Sequence, residues 1–444
     1  MPMIVFIPLL KTLNAPRIKP FNAPIEISTM TKQHPARIEL SAIMRLAGPL
    51  IASQLAHMLM VLTDTLMMAR LSPEALAGGS LGAASYSFVS IFCLGVIASV
   101  GTLVSIRQGA GDIEGATRLT QAGLWLAWAL ALGGAVMLWN IKPLLLLFGQ
   151  TPTNVEAAGQ FLLLLPFALP GYMTFMALRG FTSAMGRATP VMVISLIGTV
   201  ANFVLNYALI TGMFGLPKLG LMGIGLVTAV VATGMALGLA WHIHRHPAYD
   251  AYPLRKGLSR LNVPYLRELW RLGLPIGGTY AVEVGLFAFA ALCMGTMGST
   301  QLAAHQIALQ IVSTAFMVPT GLSYAVTMRV GLYYGAGNLL AARSAGRVGI
   351  GFGAMIMFAF AALFLLLPEA LVGLFIDRND PAFAAIFQVA VQLLMVAAWF
   401  ELFDGMQTIA MGSIRGLKDA KTTFLIGLVC YWLVGAPSAW LFTF

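Results

Sequence analysis

Apolar positions in this chain fall in long unbroken runs, not in alternation. Eleven such runs are legible: 41–67, 80–106, 118–140, 156–177, 190–212, 221–243, 270–296, 303–328, 345–367, 383–411 and 422–443. At about 1.5 Å per helical residue, some 20 residues cross a hydrocarbon core about 30 Å thick. Each run therefore predicts a transmembrane helix. The short segments of alternating polarity that an outer-membrane barrel needs are absent. The predicted fold class is an all-α integral membrane protein.

The polar stretches between the runs give the topology. With the N-terminus placed in the cytoplasm, 22 Lys and Arg fall on the inner side, and four (Arg70, Lys142, Lys218 and Arg378) on the outer. Basic residues collect in cytoplasmic loops, so the pattern predicts a cytoplasmic N-terminus. Residues 1–40 lack helical periodicity and read as a disordered cytoplasmic tail, or as an over-long start with Met30 the natural initiator. The largest loop, "HRHPAYDAYPLRKGLSRLNVPYLRE" (244–268), is strongly basic.

The segments on either side of that loop match each other. "RLAGP" (45–49) aligns with "RLGLP" (271–275), "LAGGS" (76–80) with "LAAHQ" (302–306), and "GAGD" (109–112) with "GAGN" (335–338), all at an offset of 226 residues. "LRG" (178–180) answers "IRG" (414–416) at 236. A constant offset marks a duplication. Six helices per copy return the chain to the same side, so the copies form parallel repeats. The expected organisation is an N-lobe over 41–244, a basic inter-lobe loop over 245–268 and a C-lobe over 269–444. The counterpart of span six would fall near 457–479, past Phe444, so the repeat predicts a twelfth helix that this sequence lacks, either by truncation, the preferred explanation, or because the second copy is degenerate.

Composition agrees with the span pattern. The chain has 444 residues, 59% hydrophobic and 9% charged, with mean hydropathy +0.85. Only hydrocarbon absorbs that much apolar surface. The net charge of +10 is explained by the loops, so no nucleic-acid partner is inferred. Cys93, Cys293 and Cys430 lie in separate spans without metal or redox spacing. No Walker A sequence, HExxH pair or other enzyme motif occurs. The chain reads as a non-enzyme with no bound cofactor.

The informative residues are four carboxylates inside spans: Asp64, Glu283, Glu401 and Asp404. Each costs about 2.5–3.5 kcal/mol at helix centre, so an acid there marks a functional position or a structural hydrogen bond between helices. Glu283 and Asp404 each lie about 18 Å from a cytoplasmic arginine on their own helix and could meet near the midplane, whereas Asp64 lies about 28 Å in. Glu401 precedes Asp404 by three residues and places a like charge on the same face. His57, seven residues before Asp64, is either a proton relay or an ordinary buried histidine. Asn202 and Asn206 form an i, i+4 pair that either holds Asp64 or bridges helices. Gln306 opens span eight. Pro166 and Pro170 should kink span four, and Pro49 and Pro275 hold equivalent places in the two copies.

Three stretches resemble the multidrug and toxic compound extrusion family, of the subfamily named for the norfloxacin efflux protein. They are "VLTDTLMMA" (61–69), "LPIGGTYAVEVGLFAFAALCMGTMG" (274–298) and "FDGMQTIAMGSIRGLKDA" (403–420). The resemblance covers about 40–444. It implies two six-helix lobes around a cavity and alternating access. It implies antiport of small organic cations against Na+ or H+ by a monomer in the bacterial inner membrane, among lipid. Glu283, Asp404 and Gln306 then look like a C-lobe cation site, with Na+ a candidate ligand of Glu283 and Asp404. Asp64, Asn202 and Asn206 look like an N-lobe network, with Glu401 and His57 as accessory departures from the family pattern. The competing reading is a lipid-linked oligosaccharide flippase of the same superfamily. That cargo carries an anionic head and would want basic residues inside the spans.

Overall fold

The computed structural model describes residues 36–212, 217–377 and 383–443. Among them are helices and connecting turns and no strand. Eleven helices are long and apolar enough to cross a membrane: α1 Ala36–Leu71, α2 Pro73–Gly109, α3 Ile113–Trp139, α4 Pro152–Ala184, α5 Thr189–Thr211, α6 Gly220–Arg245, α7 Val263–Met297, α8 Ser299–Gly335, α9 Leu339–Leu366, α10 Ala384–Gly416 and α11 Lys421–Leu441. Each matches one of the apolar runs to within one or two residues or extends beyond it, because polar residues continue a helix past the hydrocarbon edge.

Local chemistry explains several boundaries. The "GAGD" and "GAGN" motifs are the same turn built twice. Gly111 and Gly337 take left-handed φ of 71° and 73°. The following residue then caps a helix: Asp112 accepts from the Gly115 amide and Asn338 from the Ala341 amide. A left-handed glycine ahead of an Asx cap stops one helix and starts the next. In α4, the proline-rich stretch breaks the winding into a 3-10 turn, Leu165–Phe167, between two α segments. In α11 the turns Val429–Gly435 widen to a π-helix that carries Tyr431.

The structure adds to the expectation in two segments. The expected tail over 1–40 ends earlier: Ala36 already begins α1, and Glu39 in its first turn is buried. Its carboxylate accepts from Arg329 Nε and Nη2 at 2.9 and 2.8 Å and from the Tyr333 hydroxyl at 2.8 Å. That partnership supplies the ordering that apolar periodicity does not signal. The rest of the tail, with Met30, lies outside the described residues. The basic loop is likewise folded. Gln121 of α3 donates to the carbonyls of Leu254 and Lys256 at 3.0 and 2.9 Å, and Trp125 donates to that of Leu258 at 2.7 Å. Tyr249 and Tyr252 pack on Phe181, and burial pushes both phenols above their ordinary range.

The chain forms two compact units that divide within α7. One comprises residues 48–108 and 112–281; the other comprises 282–444 with the short segments up to 47 and 109–111. In the first unit α4, its 3-10 turn included, packs on α6 and α3. The contact with α6 is close because Gly171 has no side chain: a Cβ there would sit 2.6 Å from the Thr233 amide nitrogen. Small residues at such crossings are how membrane helices approach closely without a hydrophobic driving force. In the second unit α8, α9 and α10 pack mutually around Ala304, Ile311, Phe364, Leu394 and Ala398.

Candidate functional site

The first group of candidate residues lies in the unit built on α1–α6. Asp64 projects from α1 and Asn202 and Asn206 from α5, one turn apart. Asp64 Oδ1 accepts from Asn202 Nδ2 at 3.1 Å and from Asn206 Nδ2 at 2.7 Å. Asp64 Oδ2 lies 3.0 Å from the hydroxyl of Thr228 on α6. Both asparagines are buried, and their Oδ1 atoms have no hydrogen-bond partner among the described residues. Three neutral donors therefore hold the carboxylate. Among the described residues it has no salt-bridge partner.

Thr228 was not anticipated, since a lone threonine in an apolar span carries no pattern. Its hydroxyl also lies 3.0 Å from the Ile224 carbonyl, the ordinary back-bond of a helical threonine. One hydroxyl has one hydrogen, so it donates to Ile224 or to Asp64 but not fully to both. The same heavy-atom positions thus accept an ionised Asp64, to which Thr228 donates, or a protonated Asp64, which donates to Thr228.

His57 does not join this network. Its ring stacks on Tyr172 of α4 with centroids 5.2 Å apart, and Nε2 lies 3.5 Å from the Tyr172 hydroxyl. One turn up α1, Gln54 accepts from Arg179 Nη1 at 2.7 Å.

The second group lies in the other unit. Glu283 projects from α7 and Glu401 and Asp404 from α10. Asp404 is within electrostatic reach of both glutamates, and Glu283 of Arg415. Gln407, one turn past Asp404, donates to the Tyr431 hydroxyl at 2.5 Å, and Tyr431 shares the field of Glu283 and Asp404. Gln407 and Tyr431 were missed by the sequence reading, although Gln407 follows from helical spacing on the Asp404 face. Gln306 makes no hydrogen bond to this group among the described residues. It is exposed at the start of α8. Glu401 is fully buried, and neither of its oxygens has a hydrogen-bond partner among the described residues.

Two basic residues need correction. Arg179 and Arg415, which the sequence leaves at span ends, lie within longer helices and are 6% and 5% exposed. They are the equivalent arginines of the "LRG" and "IRG" repeats. Among the described residues no group of three or more His, Cys, Asp or Glu side chains could hold a metal ion. A hard cation at Glu283 and Asp404 would have to complete its shell of about six oxygens from hydroxyl, amide or backbone groups.

Comparison with known proteins places these residues in a wider set. The family model described as MatE matches residues 49–208 and 275–441, two segments whose starts are separated by the repeat offset. The chain is 86% identical over 406 residues to a protein of Pseudomonas putida named "Probable multidrug resistance protein NorM", covering 91% of this chain and 88% of that one. It is 70% identical over 412 residues to a protein of the same name from Pseudomonas syringae pv. tomato, covering 93% and 90%. The fold resembles that of the eukaryotic MATE transporter AtDTX14, with a TM-score of 0.80 at 21% identity over 92% of this chain and 90% of that one.

Proposed function

This chain belongs to the multidrug and toxic compound extrusion family, and on that premise we propose that it expels organic cations across the bacterial inner membrane in exchange for Na+ or H+. The observation that carries the reading is Asp64, a carboxylate in a membrane helix held by Asn202, Asn206 and Thr228. Neutral donors orient a charge without cancelling it. A fixed arginine would lock the site, whereas this one stays available to a positive passenger. The unsatisfied oxygens of Asn202 and Asn206 add acceptors that suit a metal cation. The single Thr228 hydrogen suits a proton that comes and goes. Both coupling ions fit this residue set.

Glu283 and Asp404, with Gln407 and Tyr431 beside them, form the second acidic group of the proposed exchanger. Coupling requires that ion and cargo prefer different states of the transporter. Two acidic groups, one in each repeat, give each passenger negative charge to hold in either state. The protein is read as a monomeric carrier that works by alternating access, with N-terminus in the cytoplasm. A lipid-linked oligosaccharide flippase would use buried cations for its anionic head. Arg179 and Arg415 are buried, but Arg179 donates to Gln54 and Arg415 lies within electrostatic reach of Glu283, so the balance favours cationic cargo.

The test is efflux of ethidium from whole cells with Na+ and external pH varied independently. Stimulation by one ion at a fixed gradient of the other supports exchange and identifies the partner. Efflux indifferent to both ions would refute it.

A further inference from the structure

Glu401 is the acid that the exchange reading leaves without a task. It is 0% exposed, and both carboxyl oxygens lack a hydrogen-bond partner among the described residues. Asp64 has three donors and Glu283 has Arg415 nearby, so Glu401 stands apart from both. An acid buried without a partner is costly unless something else supplies the compensation.

Glu401 borders a cavity of about 160 Å³ walled by α7, α8 and α10. That is the room of about five waters at ~30 Å³ each. Its polar groups are Glu401, Asp404 and the Ser313 hydroxyl; the rest of the wall is hydrocarbon, including Val312, and the rings of Phe287 and Phe316. Phe287 is braced edge-on by Phe400, with ring centroids 6.0 Å apart and planes at 89°. Glu401 and Asp404, three residues apart on α10, both border the cavity.

This chemistry is selective. A small hard cation needs about six oxygens, and the side chains here offer two carboxyls and one hydroxyl. A substituted ammonium group is weakly hydrated. It is satisfied by one carboxylate, by aromatic faces within about 6 Å and by hydrocarbon against its alkyl substituents. We propose that this cavity is a subsite for the substituted-ammonium group of the cargo, with Glu401 as its counter-charge and Phe287 and Phe316 as its walls. The proposal rests on the exchange reading above. It divides the labour within the second unit: Glu401 serves the cargo, Glu283 serves the coupling ion, and Asp404 borders both.

The test uses the purified full chain in detergent and displacement of bound ethidium by two probes of equal shape. Benzyltrimethylammonium carries the charge; neopentylbenzene replaces its nitrogen with carbon. Glu401→Gln should weaken displacement by benzyltrimethylammonium at least tenfold and leave that by neopentylbenzene within twofold. Phe316→Leu should weaken the charged probe by a smaller factor. An unchanged charged-probe affinity in Glu401→Gln, or equal loss for both probes, overturns the proposal. If Glu401→Gln is not recovered as folded protein, Glu401→Asp and Phe316→Leu are judged by the same difference between probes. Failure of the broader reading is separately visible: wild-type cells would then show no ion-dependent ethidium efflux. Ion-dependent efflux in the wild type with normal probe binding in Glu401→Gln defeats the subsite alone.

Discussion

Replacing Asp64 with asparagine removes one charge and almost nothing else. Oδ1 of the new amide still accepts from Asn202 and Asn206, since a carbonyl oxygen has two lone pairs. Its NH2 takes the place of Oδ2 and donates to Thr228, whose hydrogen then goes to the Ile224 carbonyl. All contacts survive as neutral bonds. Hydrogen bonds to a charged group contribute about 1.5–3 kcal/mol and neutral ones about 0.5–1.5, so three conversions lose roughly 3–5 kcal/mol gross. Relief from burying an ionised carboxylate is of similar size, several kcal/mol. The net change in stability is therefore expected within about 1 kcal/mol. The variant resembles the protonated state and cannot leave it. Asp64→Asn should insert normally and melt within a few degrees of wild type, while ion-driven ethidium efflux falls to the level of cells without the transporter. Sustained efflux in a normally expressed Asp64→Asn protein would refute the reasoning, because the charge would then be dispensable.

Other consequences follow from packing and pairing. Glu39→Ala strands Arg329 in a half-buried site and should cost about 3–5 kcal/mol, whereas Glu39→Ala with Arg329→Met should recover much of that; thermal melting in detergent distinguishes the two, and an additive double variant would contradict the pairing. Gly171→Val forces side-chain atoms into the α6 backbone and should cost at least about 1–3 kcal/mol, read as lost expression and a lower Tm. Gln121→Ala frees the carbonyls of Leu254 and Lys256 and should hasten tryptic cleavage after Arg255 and Lys256. Unchanged cleavage rates would mean that Trp125 and the tyrosines hold the loop without Gln121.

The sequence was a good guide where the signal was local or repeated. Long apolar runs locate all eleven helices, and the matched "GAGD" and "GAGN" turns announce a fold built twice. Asp64, Asn202 and Asn206 were singled out as acids and amides where hydrocarbon is the norm, and the structure joins them. What stayed hidden depends on contacts between distant segments. Thr228 is one hydroxyl in an apolar helix, and nothing near it in the chain points to Asp64. Glu39 reads as tail until Arg329 and Tyr333 are placed beside it. The folding of the basic loop is not legible because α3 side chains, 133 and 135 residues away, hold its carbonyls. Gln306 was drawn into the acidic group by its motif alone, and the structure leaves it at the start of α8.

In the proposed exchange, negative charge within the spans passes between an inbound ion and an outbound organic cation. Reconstituted vesicles test it most directly: purified protein in liposomes, an imposed gradient of Na+ or of H+, and a fluorescent organic cation at equal concentration on both sides. Exchange predicts uphill movement of that cation, driven by one of the two gradients and abolished in Asp64→Asn. Equal concentrations persisting under both gradients, or uphill movement undiminished in Asp64→Asn, would contradict it.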